Sequence, residues 1–252
     1  MLTRGRWVVL AAALASVALT ARLGVWQLDR ARQKTDLHTR IEGRAALSPL
    51  AADALARTPA AAAEQHYRRT ALRGRWLARH TVYLDNRQMN GRVGFYVLTP
   101  LQLGPGDAVL VQRGWMPRDP RDRSALPALA TPDGEVLVPG RIAPPPGKLF
   151  ELGAAESGRI RQNLDTDAFA REAGIALRPL SLQQTDAERP LAAPADATST
   201  PAPNPDDGLL RQWPTATLDV SKHHGYAFQW FALSALITGL YVWFQILRPR
   251  RR

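Results

Sequence analysis

Between Tyr226 and Leu247 the chain carries no charged residue. A helix of that length, rising about 1.5 Å per residue, crosses the roughly 30 Å hydrocarbon core of a bilayer. Tyr226 and Trp230 lie near one edge of the run, and Tyr241 and Trp243 near the other, as an aromatic belt requires. Arg248, Arg250, Arg251 and Arg252 close it with a basic stop. A core helix of a soluble protein does not run this far without a polar face. The pattern predicts a transmembrane helix over 226–247 and a basic tail over 248–252, and whatever else folds must hang from that helix.

A second apolar run opens the chain. Arg4 and Arg6 precede Trp7–Ala21, and after Arg22 the apolar character resumes through Leu23, Val25, Trp26 and Leu28. A basic start, a short apolar stretch and Ser16-Val17-Ala18 also suit a cleaved signal peptide. The full reach from 7 to 28 favours an uncleaved span, with Arg22 close enough to the far end to snorkel to the interface. The C-terminal arginines outweigh Lys222 across the second span and place the C-terminus in the cytoplasm. Arg22, Arg30, Arg32 and Lys34 pull weakly the other way at the first span, but long loops translocate largely regardless of charge. The expected topology has residues 1–6 and 248–252 in the cytoplasm and 29–225 outside. No Arg/Ser-rich leader precedes the first span, which favours a bacterial inner membrane, with 29–225 in the periplasm, over a mitochondrial one.

The averages conceal this layout: charged residues make up 22% and mean hydropathy is −0.24. The formal net charge of +11 comes almost wholly from arginine, scattered along the chain with no nucleic-acid-binding signature beside it. Cysteine is absent, which excludes disulfides, thiolate metal sites and cysteine nucleophiles.

In the middle region, helix is expected to continue from Asp29 to about Ile41, followed by an Ala/Pro-rich stretch over 45–65 that reads as a weak helix or linker. Residues 66–186 read as a β-rich core. Strands alternate from Tyr67 to Leu103 with a break at "DNRQMNGR", and a further strand runs to Pro117. "GPGD" (104–107) reads as a hairpin turn, "GEVLVPGRIA" as a strand and "LRPLSLQQT" as a late strand. "DTDAFAREAG" reads as a short helix capped by Asp165 or Thr166 and stopped by Gly174. Residues 187–208 have the composition of a flexible insert. The fold class predicted is α+β: two transmembrane helices flanking a mainly antiparallel-β extracytoplasmic domain with a short helix.

Enzyme chemistry is hard to find. G-x-S-x-G, H-E-x-x-H and P-loop patterns are missing, and the chain is not expected to be an enzyme. Asp85, Asn86 and Arg87 read as a polar turn between strands. Gln112, Arg113, Gly114 and Trp115 read as a strand end whose tryptophan packs on the core, with a ligand or partner contact as the alternative. Among five histidines, His38, His66 and His80 show no metal-site spacing. His223 and His224 open the second apolar run. They have two readings: residues that simply occupy the headgroup region, or imidazoles that meet a cofactor such as haem. Tyr226, Phe228, Trp230 and Phe231 would then supply apolar walls, and Lys222 or Arg22 could pair with propionates.

Four blocks carry a resemblance: "LGVWQLDRARQK" (Leu23–Lys34), "VYLDNRQMNGRVGFYVLTPLQL" (Val82–Leu103), "VLVQRGWMPRD" (Val109–Asp119) and "HHGYAFQWFALS" (His223–Ser234). In this order, between two spans, they resemble the signature blocks of the surfeit-locus (Surf/Shy) family of cytochrome c oxidase biogenesis proteins. The resemblance implies an assembly factor for the terminal oxidase that assists haem a delivery or insertion into the catalytic subunit, holding haem a transiently. Its implied partners are that subunit and the haem a synthesis machinery. The family's proposed haem ligand stands three residues before the tyrosine of an H-x-x-Y-A pattern, a register that selects His223; His224 falls where the family more often has an apolar residue. The haem-contacting set it implies is His223, His224, Tyr226 and Trp230. The family's Gly-x-Trp motif falls on Gly24 and Trp26, and its R-G-W element on Arg113, Gly114 and Trp115. Trp26, Arg113, Gly114 and Trp115, with Asp85, Asn86 and Arg87, form the expected docking face. Two rivals carry other expectations: a structural stabiliser of an oxidase subunit that never touches haem, and a membrane-tethered periplasmic enzyme. The lack of cysteine argues against a copper carrier.

Overall fold

The structure, a computed structural model, describes residues 4–122, 125–126, 128–150, 158–191, 207–213 and 220–248. The chain forms two units, Met1–Ile41 with Thr215–Arg252, and Glu42–Pro214.

The first unit holds the two apolar helices. α1 runs over Arg4–Ala46, in this unit up to Ile41, and α4 over Ser221–Val242, extended by a π-helical turn, Trp243–Leu247. Both are long and apolar enough to cross a membrane. They flank a mainly β domain containing a short helix, so the architecture is α+β as predicted.

In the second unit, β1 (Arg69–Trp76), β2 (Val82–Met89), β3 (Arg92–Gly104), β4 (Asp107–Pro117), β5 (Glu135–Ala143), β6 (Ile160–Arg161), β7 (Leu177–Gln184) and β8 (Arg189–Pro190) form one sheet. The pairing order β1-β5-β7-β4-β3 returns to β1 through Arg75↔Gln102 and Trp76↔Leu101, closing five strands into a small barrel. Closure needs a close strand crossing, and Gly74 permits it, because a Cβ there would run into the Gln102 carbonyl. Most pairs are antiparallel; β4–β7 and β2–β6 are parallel.

The strand alternation read from sequence fills this barrel. Leu72 and Trp76 of β1, Leu101 of β3, Val109 and Val111 of β4, Val136, Val138 and Ile142 of β5, and Leu180 and Leu182 of β7 make one buried cluster. Leu55, Ala56 and Ala62 join that cluster from the Ala/Pro-rich segment, which folds into a 3₁₀ turn, Ala52–Ala54, and a short helix α2, Pro59–Gln65, capped by Thr58. A second cluster, Val82, Leu84, Leu98 and Leu110, is covered by Phe169 of α3 (Thr166–Ala173). Asp165 caps α3 by accepting from the backbone N–H groups of Asp167 and Ala168, and Gly174 ends it.

The break expected over "DNRQMNGR" is narrower than turn chemistry alone indicates. β2 continues to Met89, and only Asn90 and Gly91, both with positive φ, make the turn into β3. Asp85-Asn86-Arg87 is a β-bulge instead: register shifts between Leu84 and Arg87, and Asn86 sits at φ 59°. The stretch whose composition suggests a flexible insert includes a fixed residue, since Glu188 is fully buried. The rest of that stretch from 192 to 206 lies outside the described residues.

Candidate functional site

In the first unit, the shielded positions of α1 include Val17, Thr20, Gly24, Gln27 and Ala31, and those of α4 His223, Ala227, Trp230, Ser234 and Ile237. Each series advances in steps of three and four, the repeat that keeps one seam of a helix against a neighbour. The contacts run antiparallel. Arg6 donates to the Gln245 carbonyl at 3.1 Å, and Ser234 Oγ to the Val17 carbonyl at 3.4 Å. Phe231 lies over Gly24, where a Cβ would come within 2.8 Å of the ring. Nearest the start of α4, the His223 ring nitrogen Nδ1 and Gln27 Oε1 are 2.8 Å apart.

This seam separates the two histidines that sequence leaves side by side. His223 is half-buried and faces Gln27, whereas His224, about 100° further round the helix, is exposed. An amide oxygen only accepts, so this contact suits a tautomer that carries its proton on Nδ1 and leaves the Nε2 lone pair open. Tyr226 and Trp230 stand three and seven residues beyond His223, on the same flank of α4; Tyr226 is about half exposed and Trp230 half-buried. Phe228 is largely exposed on another side. Trp26 is half exposed with Arg30 above its ring, and Arg22 is exposed. Gln27 is the residue that sequence reasoning passes over. Its signal is the spacing Thr20-Gly24-Gln27-Ala31, in which a polar amide falls on a stripe of small residues.

Most of the docking residues expected in the second unit are buried. Arg87, Arg113, Gly114 and Trp115 are all buried; Asp85 is half-buried and paired with Arg118 at 3.2 Å, leaving Asn86 exposed. Arg87 turns inward at the bulge, donating to the Gly147 and Gln162 carbonyls at 2.8 Å each. Trp115 Nε1 donates to the Arg87 carbonyl at 2.9 Å, so the two motifs meet in the interior, and Trp115 packs on the core. Arg113 follows Val109 and Val111 on the inward side of β4. Its guanidinium stacks 4.6 Å from the Trp76 ring centroid and pairs with Glu188 at 2.9 Å, while Gln184 Nε2 donates to the other Glu188 oxygen at 2.6 Å. Burial pushes the Arg113 guanidinium down from its usual range, and the Glu188 carboxylate opposes that shift. Trp213, which donates to the Gln184 carbonyl at 2.7 Å and lies edge-on to Tyr96, fixes the chain there as well. Among the described residues no group of three His, Asp or Glu side chains is placed to hold a metal ion.

The family model described as the SURF1 family matches residues 14–235. The chain belongs to the SURF1 family. It is similar to the cytochrome oxidase assembly protein SHY1 of Saccharomyces cerevisiae, with 28% identity over 185 residues, 71% of this chain and 47% of SHY1. A SURF1-like protein of Monosiga brevicollis is 24% identical over 252 residues, covering 91% of this chain and 85% of the relative. Surfeit locus protein 1 of Arabidopsis thaliana is 30% identical over 117 residues, 42% of this chain and 33% of the plant protein. The chain thus spans about half the length of SHY1.

Proposed function

We propose that this SURF1-family chain is a membrane-bound assembly factor for a terminal cytochrome oxidase that receives haem a and passes it to the catalytic subunit. The observation that carries the reading is His223: an imidazole at the opening of an apolar helix, with Nδ1 engaged by Gln27 at 2.8 Å, which leaves Nε2 for a ligand. That donor chemistry fits an iron porphyrin, for which a neutral imidazole with a hydrogen-bonded second nitrogen is an ordinary ligand. Tyr226 and Trp230 offer flat apolar surface on the same flank, matching the faces of a macrocycle. Haem a is cargo here, so one ligand and a shelf suffice, and release to the oxidase requires that the hold be modest.

In this reading α1 and α4 both cross the bilayer. The C-terminal arginines keep both ends in the cytoplasm, and the β domain lies on the other side, in the periplasm of a bacterial cell. The partners are the oxidase catalytic subunit and the haem a synthesis machinery. No catalytic step is assigned to the chain.

The test is an absorption spectrum of protein purified in mild detergent from cells that make haem a. Wild type is expected to carry a Soret band that His223→Ala loses at unchanged protein level. Equal haem occupancy in the variant removes His223 from the mechanism. A wild type without haem, whose deletion still lowers oxidase activity, supports a stabiliser that never touches haem.

A further inference from the structure

We infer that Gln27 is the positioning residue for His223: it selects the ring's tautomer and orientation and so decides which nitrogen can ligate. The geometry is a 2.8 Å contact between Gln27 Oε1 and His223 Nδ1, made across 196 positions of sequence. Both side chains are half-buried on the α1–α4 seam, one helical turn from the buried Ala31 and Ala227. Small residues on either side let the helices approach closely enough for the amide to reach the ring. A half-buried amide facing a neutral imidazole has little water to compete with it, so the pair holds one arrangement.

The consequence is specific. With the proton on Nδ1, the Nε2 lone pair points along the ring axis away from Gln27, and rotation of the ring would cost this hydrogen bond. His224 lacks any such contact with α1 among the described residues. Position on the seam therefore separates two chemically identical side chains. The haem half of the inference rests on the function proposed above; the tautomer half does not.

Full-length protein in detergent, free of haem and labelled with ¹⁵N-histidine, provides the test. The His223 signals are identified by their loss in His223→Ala. Wild type is expected to show a protonated Nδ1 and an unprotonated Nε2. Gln27→Leu is expected to abolish that preference and Gln27→Glu, which keeps an acceptor at this position, to restore it. Nitrogen shifts that are the same in wild type and Gln27→Leu overturn the inference, as does a wild-type ring protonated on Nε2. Unchanged tryptophan fluorescence in the two variants shows that each is folded.

A second readout uses haem a added from solution. Gln27→Leu is expected to weaken binding about 10- to 100-fold, the usual effect of losing a hydrogen bond to a ligating histidine. Gln27→Glu is expected to bind and to shift the haem reduction potential downward, because a carboxylate makes the imidazole a stronger donor. If His223→Ala binds haem as wild type does while the tautomer effect persists, the ligation reading fails and the positioning stands. If haem binding needs His223 but is indifferent to Gln27→Leu, the positioning fails and the ligation reading stands.

Discussion

Replacing Arg113 with methionine leaves the Glu188 carboxylate inside the protein without its main counter-ion. Both side chains are essentially inaccessible, at 0% and 2% exposure. At 2.9 Å their attraction is about 6 kcal/mol for an effective dielectric constant of about 20. The guanidinium also stacks on Trp76, worth about 1–2 kcal/mol at a desolvated site. Against these losses, the variant no longer has to strip water from an arginine, a cost of several kcal/mol. Arg211, 3.8 Å from the other Glu188 oxygen, retains part of the attraction, although it is already engaged by Asp207. The balance is a destabilisation of about 3–5 kcal/mol, the range for removing one partner of a buried ion pair. Methionine fills much of the arginine's volume, so a cavity adds little. Adding Glu188→Leu removes the buried carboxylate as well, and the double variant should return to within about 1 kcal/mol of wild type or exceed it. Urea unfolding followed by tryptophan fluorescence reads this directly, since Trp76, Trp115 and Trp213 are buried in the same unit. A single variant that loses less than about 1 kcal/mol, or a double variant less stable than the single, would refute the argument that loss of this counter-ion dominates.

Asp107 gives a pH dependence. Hydrogen bonds from Arg178, at 2.8 and 2.6 Å, hold its carboxyl below the usual carboxylate range against a smaller opposing effect of burial. A depressed folded pKa contributes stability above the unfolded value, about 3.9, and that contribution disappears as pH falls through the folded pKa. Urea midpoints should therefore decline below about pH 4, and Arg178→Met should start lower and decline less; parallel curves would show that the pair is not the cause. Gly24→Leu should separate α1 from α4, because even a Cβ meets Phe231 at 2.8 Å. The chain has no cysteine, so cross-linking between Val17→Cys and Ser234→Cys reports this cleanly, and Phe231→Ala should restore cross-linking in the Gly24→Leu background. A reporter fused after Arg252 should prove cytoplasmic; an external reporter would reverse the proposed topology.

Elements whose causes are local were legible in the sequence. The capped helix at Thr166–Ala173, a turn somewhere within "DNRQMNGR" and the two apolar helices each follow from residues within a few positions of one another. The misreading at Asp85-Asn86-Arg87 has a physical origin. Asn next to Asp favours a left-handed backbone, and that conformation serves a bulge inside a strand as well as a turn between strands. Only the register of β3 decides, and this is information from another strand. Glu188 is a related case. In a run of Ala, Pro and acidic residues a carboxylate reads as solvated, yet its partner on β4 lies 75 positions away and draws it inside.

The helix pair shows the same limit from the other direction. An apolar run reports that a helix avoids water; it does not report which side meets a neighbour, because lipid and protein are equally apolar to a leucine. That information sits in residues that hydropathy treats as blemishes. Thr20, Gly24, Gln27 and Ala31 are small or polar, and they fall on the seam at steps of three and four. On α4 the equivalents are His223, Ala227 and Ser234. Small residues are tolerated there because they allow close approach, and polar ones because a partner on the other helix satisfies them. A histidine within such a stripe is therefore expected to have a polar partner on the opposing stripe at matching depth, and Gln27 occupies that position.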